Sequence, residues 1–144
     1  MPKSLTILLA SLLWLGGCTA ADPVNSLAAI GTETQAPPAA ARRTIDVAVA
    51  HWARGRFTPG TPRWFVLKPG LPGVAVMKAI DNGLGGRARR FVETGPDGSN
   101  VTLYGWRLSE PAADGHDALI AVVSHGDPAV AAYLPATLSG HRPQ

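Results

Sequence analysis

Ser124, His125 and Asp127 fall within four residues of one another, and a serine, an imidazole and a carboxylate are the parts of a nucleophilic triad. Their placement argues against that chemistry. Consecutive residues of a strand point to opposite faces, so Ser124 and His125 do not meet in an extended segment. The same stretch reads as a strand-to-helix turn, with Asp127 as the helix N-cap. His51, His116, His125 and His141 are the imidazoles of the chain, and none is paired with another at a ligand spacing such as H-x₃-H. The expectation is no metal, no cofactor and no catalysis, hence no small-molecule substrate. Gly83-Leu84-Gly85-Gly86 follows a helical pattern instead of joining a strand to a helix, which makes it a helix C-terminus and not a phosphate loop.

The remaining reactive side chain is Cys18, the single cysteine. Ahead of it stand one positive charge, Lys3, and the apolar run Leu5 to Leu15, which read together as an export signal. Spanning a bilayer takes roughly 20 apolar residues, and this run is too short. Leu15-Gly16-Gly17-Cys18 resembles the lipobox of bacterial lipoprotein signal peptides: an aliphatic residue, two small residues, then cysteine. Small side chains let the backbone into the peptidase, and the thiol is the nucleophile that takes the lipid. The resemblance implies cleavage before Cys18, an S-diacylglycerol group on its sulfur and an N-palmitoyl chain on the new amino group. Two or more acyl chains anchor a protein stably where one does not. Thr19, not aspartate, follows the cysteine. By resemblance to the sorting rule of enteric bacteria, that favours the outer membrane over the inner, with the protein facing the periplasm.

The elements that would carry any further function must come from the rest of the 144 residues, of which 46% are hydrophobic and 16% charged. Those proportions, with 16 Gly and 13 Pro, exclude a coiled coil and a multi-span membrane protein, and one cysteine excludes a disulfide scaffold. The pI near 9.5 reflects only a few extra arginines, so no nucleic-acid partner is expected. Removing residues 1–17 takes away Lys3 and lowers the formal charge from +3 to +2.

Residues 1–17 are the expected signal, and 18–43, rich in Ala, Pro and Thr, the expected lipidated flexible tether. A tether of that length would hold a domain roughly 25–30 Å from the lipid. The globular part is expected over 44–138, with a tail at 139–144. About 95 residues suffice for a single core.

Within that span Thr44 reads as an N-cap, and Ile45, Ala48, Val49 and Trp52 recur at helical spacing. Residues 63–68 read as a strand, and Val74, Met77, Ile80 and Leu84 as a second helix. Residues 89–94 and 100–108 flank Pro96-Asp97-Gly98-Ser99 as a hairpin. One face of the second hairpin strand is expected to meet a helix and the other a loop or a partner. Residues 116–124, with an unbroken Leu119-Ile-Ala-Val-Val123, read as a central strand buried on both faces. A short helix is expected over 129–134. The order α-β-α-β-β-β-α gives a small layered α+β domain, helix-strand-helix followed by an antiparallel sheet.

Arg87-Ala88-Arg89-Arg90 is the one basic cluster. It reads as a charged start to an edge strand, which guards against aggregation. Contact with anionic lipid headgroups or an acidic partner surface is the functional alternative. Trp64 and Trp106 read as core aromatics, with an interface role as the alternative.

With lipobox, tether and small α+β domain in place, the chain resembles the TrbH family of conjugal transfer lipoproteins. The resemblance runs from Leu15-Gly-Gly-Cys18 through Phe65-Val-Leu-Lys-Pro-Gly70 to the 74–84 helix. It implies a structural, lipid-anchored component of the mating-pair-formation apparatus, a type IV secretion machine supporting plasmid transfer. Its partners would be the membrane and other envelope proteins of that machine. Only Cys18 carries over residue by residue. Two other classes stay open: an unrelated envelope lipoprotein acting as assembly factor or regulator of a cell-wall enzyme, and a secreted hydrolase using His125 or His116.

Overall fold

The computed structural model describes residues 23–94 and 100–138. The Leu15–Cys18 box, Thr19, the Pro96–Ser99 turn and the 139–144 tail with His141 lie outside the described residues. The elements, in order, are α1 (Pro23–Ile30), β1 (Gly31–Thr34), α2 (Ala39–Ala53), β2 (Phe57–Pro59), β3 (Arg63–Leu67) and α3 (Val74–Leu84). Four longer strands follow: β4 (Ala88–Thr94), β5 (Val101–Leu108), β6 (Ala118–Ser124) and β7 (Val130–Leu138). The protein is α+β: one antiparallel sheet of seven described strands carries helices on both sides.

The strand order is β1-β3-β7-β6-β5-β4, with β2 paired to the far end of β7. β2 and β3 therefore run along the same side of β7 as one interrupted strand. The interruption has a cause in β7 itself. Pro135 has no N–H to offer, and opposite it the chain breaks, with the Gly60 N–H donating to the Pro135 carbonyl at 2.7 Å.

Alternation sorts the core into two layers. Leu27 of α1 and Val76, Ile80 and Leu84 of α3 pack on Tyr104, Trp106, Leu119, Ala121, Val123, Ala131 and Tyr133. On the other face Ile45, Ala48 and Trp52 of α2 pack on Leu103, Ile120, Val122, Val130, Ala132 and Leu134. The second hairpin strand thus has a helix over each face, where a loop or partner was expected on one. β6 is buried along its whole length, as its unbroken apolar run requires.

Three further expectations are corrected. The first concerns residues 23–43, which do not form a tether. Pro23 and Leu27 of α1 are buried, β1 pairs with β3 through Gly31↔Leu67 to Thr34↔Trp64, and Pro37 is buried before α2. Few large apolar residues are needed there because Pro23, Leu27 and Pro37 fall on the contact; Pro23 lies so close to Gly83 of α3 that a Cβ on that glycine would sit 2.8 Å from the Pro23 Cα. Secondly, α2 begins at Ala39 and not at Thr44. The Thr44 hydroxyl donates one turn back to the Ala40 carbonyl at 2.9 Å, a mid-helix habit and not a cap.

Finally, residues 129–134 are strand, not helix. Val130, Ala132 and Leu134 face α2, while Ala131 and Tyr133 face α1 and α3. Alanine favours a helix locally, but a central strand roofed by helices on both faces needs small residues, and packing overrides the propensity. Asp127 accordingly caps no helix; it precedes a cis Asp127–Pro128 bond in the β6–β7 turn.

The helix over 74–84 stands where the periodicity put it. Gly85 ends it in the left-handed region at φ 59°, its N–H donating to the Asp81 carbonyl at 3.0 Å. No described helix is long and apolar enough to cross a membrane.

Candidate functional site

Two places gather polar side chains: the β6–β7 turn and the opposite end of the sheet. At the turn, the His125 imidazole lies against Gly73, where a Cβ would sit 2.3 Å from its Cε1. Its Nε2 shares a hydrogen bond with the Thr102 hydroxyl at 3.0 Å. The His125 N–H donates to the Asn100 carbonyl at 2.9 Å, and Asn100 Nδ2 donates back to the His125 carbonyl at 2.6 Å. These bonds fasten the start of β5 to the end of β6. Ser124 is buried in the ladder opposite Val101 and Val130, and Asp127 is exposed. The histidine thus finds its partners in Thr102 and the β5 backbone.

His116 sits at the other end of β6, its Nδ1 against the Asp114 carboxylate. His51 is exposed on α2. Among the described residues no group of three or more His, Cys, Asp or Glu is placed to hold a metal ion.

The end of the sheet where β4 begins and β5, β6 and β7 have their Leu108, Ala118 and Leu138 termini is richer in charge. The cluster at 87–90 is divided by strand geometry. The Arg87 guanidinium turns to the helix end, Nε donating to the Leu84 carbonyl at 2.8 Å and Nη2 to that of Gly83 at 3.3 Å. Those are carbonyls left free at an α3 C-terminus that favours positive charge. Arg90 points to the same side of the sheet and pairs with Asp81, whose other oxygen accepts the Trp106 indole N–H at 2.7 Å.

Arg89 points to the α2 side, directly across from Arg107 in the β4–β5 register. There Arg56, Phe57, Arg89, Phe91, Arg107 and Leu138 line a surface hollow of about 470 Å³. Its carboxylate, Glu93, is held by both Arg56 nitrogens, one at 2.7 Å. This bidentate pairing lowers the Glu93 pKa below its ordinary value of 4.5, mainly through the hydrogen bonds to Arg56, and raises that of Arg56. A carboxylate with a depressed folded pKa contributes stability that is whole above its unfolded pKa and is lost as pH falls through the folded one. Half-exposed partners make the contribution small, below about 1 kcal/mol. Glu93→Gln should therefore cost under about 1 kcal/mol at neutral pH and flatten the fall in stability below pH 4.5, read from urea unfolding across an acid pH series. An unchanged acid slope would show that the pair adds nothing.

Trp64 and Trp106 are core residues, 7% and 1% exposed. Arg42 lies over the Trp64 ring at 5.8 Å, and Arg63 makes a bidentate pair with Glu33 at 2.7 and 2.8 Å. Reasoning along the sequence missed Arg107, Arg56 and Glu93, because register and a separation of 37 residues bring them together. The usable signal was the positive charge at Arg107, in a strand whose neighbours on that face are Val101, Leu103 and Gly105.

The charged end sets Arg89 and Arg107 side by side, and the β6–β7 turn holds strands together. Cys18, the residue with the clearest chemistry of its own, lies outside the described residues. Neither a family model, nor a curated protein, nor a solved structure matches the chain.

Proposed function

We propose that this chain is a lipid-anchored, non-catalytic component of a cell-envelope assembly, the conjugal transfer apparatus, held to the membrane through Cys18 and facing the periplasm. The observation that carries the reading is Leu15-Gly16-Gly17-Cys18 directly after a charged and then apolar leader. The resemblance to conjugal transfer lipoproteins supplies the machine, and Thr19 favours the outer membrane. A structural role is supported at His125, whose ring packs against Gly73 and shares its hydrogen bond with Thr102 across the strand ends.

Two measurements test the two halves. Radioactive palmitate fed to cells should label the wild-type protein and leave Cys18→Ser unlabelled; label on both, or on neither, overturns the anchor. Deleting the gene should depress plasmid transfer, with the wild-type gene restoring it and Cys18→Ser failing to. Undiminished transfer in the deletion sinks the conjugation reading and leaves an envelope lipoprotein of another assembly.

A further inference from the structure

We infer that the sheet end at which Pro23 joins the fold is the membrane-facing surface, with Arg89 and Arg107 seated on the phosphates of anionic phospholipid headgroups. The inference rests on the anchor reading above.

The first argument is reach. Pro23, the first described residue, is packed into the fold five positions after Cys18, with four residues between them. Five steps of 3.8 Å between successive Cα atoms span at most about 19 Å, whatever the conformation of the segment. A lipid on Cys18 therefore keeps Pro23 beside the headgroups, whereas a 26-residue tether would have left the domain free to turn. Pro23 lines a groove with Arg87, Leu108 and Ser109, and the Ser109 N–H donates to the Arg87 carbonyl at 3.0 Å. That groove is at the Leu108 end of β5. The arginine hollow lies on the opposite sheet face at the same end, since Ala88↔Leu108 and Arg89↔Arg107 are successive pairs.

The second argument is charge. Like charges directly opposed across two strands are destabilising. Arg56, Arg87 and Arg90 each have partners in the fold: Glu93, the carbonyls ending α3, and Asp81. Arg89 and Arg107 have none among the described residues. The acids nearby are otherwise engaged or placed: Asp114 meets His116, Asp117 accepts the Leu138 N–H at 2.9 Å, and Glu110 lines the groove on the other face. Two adjacent guanidinium forks without a carboxylate fit phosphate oxygens, and the anchor brings a phosphate surface to them.

The test uses the full protein purified with its lipid and reconstituted in vesicles of phosphatidylcholine mixed with phosphatidylglycerol. Fluorophores go on Ser109→Cys, at the proposed face, or Lys68→Cys, which is exposed beyond the other end of the strands. The seven residue steps of β5 separate those ends by about 24 Å. A spin label on the lipid headgroups should quench the first fluorophore strongly and leave the second bright. Arg89→Glu with Arg107→Glu should abolish the difference. Each arginine near an anionic surface is worth roughly fivefold, so losing two alone shifts the seated population by roughly 25-fold, and the two introduced carboxylates add repulsion to that. Arg43→Glu with Lys78→Glu makes the same charge change elsewhere and should leave the quenching intact. Circular dichroism checks that every variant is folded.

Equal quenching at both positions overturns the seating while leaving the anchor standing. Strong quenching at Ser109→Cys that survives Arg89→Glu with Arg107→Glu overturns the role of the arginines. An intact mass without the acyl groups on Cys18 overturns the anchor, and the seating falls with it.

Discussion

Leu27→Ala should lower the free energy of unfolding by about 2–5 kcal/mol, the range for truncating a large aliphatic side chain inside a core. The value separates two pictures of the N-terminal third. In a flexible tether, Leu27 touches nothing and its truncation is silent. In the fold, its side chain is fully buried and packs with Val76, Ile80 and Leu84 of α3 beneath β3 and β7. Removing three carbons there leaves a cavity between α1, α3 and the sheet. Urea unfolding reads the effect as a lowered midpoint at unchanged slope. Val47→Ala is the control: Val47 is 63% exposed on α2, and its truncation should stay within about 0.5 kcal/mol. A Leu27→Ala value in that same small range would return residues 23–43 to a tether and remove the short leash on which the membrane orientation depends.

The segment was illegible for a physical reason. Composition shows few large apolar side chains in 18–43, only Val24, Leu27 and Ile30, but burial depends on where they fall. Pro23 and Leu27 stand four apart on one helical face, which is enough for an eight-residue helix packed on a longer one. The longer elements were legible because their periodicity is redundant: several residues of α3 and of β5 repeat the same message about which side is inward. β7 failed for the opposite reason. Ala-Val-Ala-Ala-Tyr-Leu satisfies a helical pattern as well as a strand, and only neighbours on three sides decide between them. At the site, single-residue chemistry was readable and pairings were not. Arg87 to Arg90 looked like one patch, yet alternation sends Arg89 toward Arg107 and Arg90 toward Asp81.

On the proposed anchor, a domain whose Pro23 is five positions from the lipid would differ functionally from one on a long tether. A tether lets a domain sample partners at many angles, whereas a short leash would keep one end near the headgroups and leave its seating to Arg89 and Arg107. With the arginines seated as proposed, the end turned away from the membrane would be the β6–β7 turn, where Asn100, Thr102 and His125 lock two strands together. If the chain assembles with envelope proteins, geometry directs the search for their contact to that end and to the flanks carrying α2 and β4.

Asp81→Ala should cost about 2–3 kcal/mol, most of it from one hydrogen bond. Trp106 is 1% exposed, and its indole N–H donates to Asp81 Oδ1 at 2.7 Å. A buried donor stripped of its acceptor loses the desolvation energy in full, about 1–3 kcal/mol. Arg90, on the other carboxylate oxygen, is half-exposed and regains water, so its lost ion pair adds well under about 1 kcal/mol. The two contributions separate by substitution. Asp81→Asn keeps an oxygen for the indole and loses only the charge facing Arg90, so it should cost about 1 kcal/mol or less. In a Trp106→Phe background the donor is gone, and Asp81→Ala should then lose most of its effect, a coupling that a double-mutant cycle measures directly. If Asp81→Ala costs the same with and without the indole, the carboxylate acts through the helix or through Arg90 instead. The distinction matters because Asp81 is the polar link from α3 to the β4–β5 hairpin. The hairpin carries Arg89 and Arg107, and the helix packs on Pro23 through Gly83. Through that link Pro23, nearest the proposed lipid, and the arginines proposed to meet the headgroups are held at one fixed spacing.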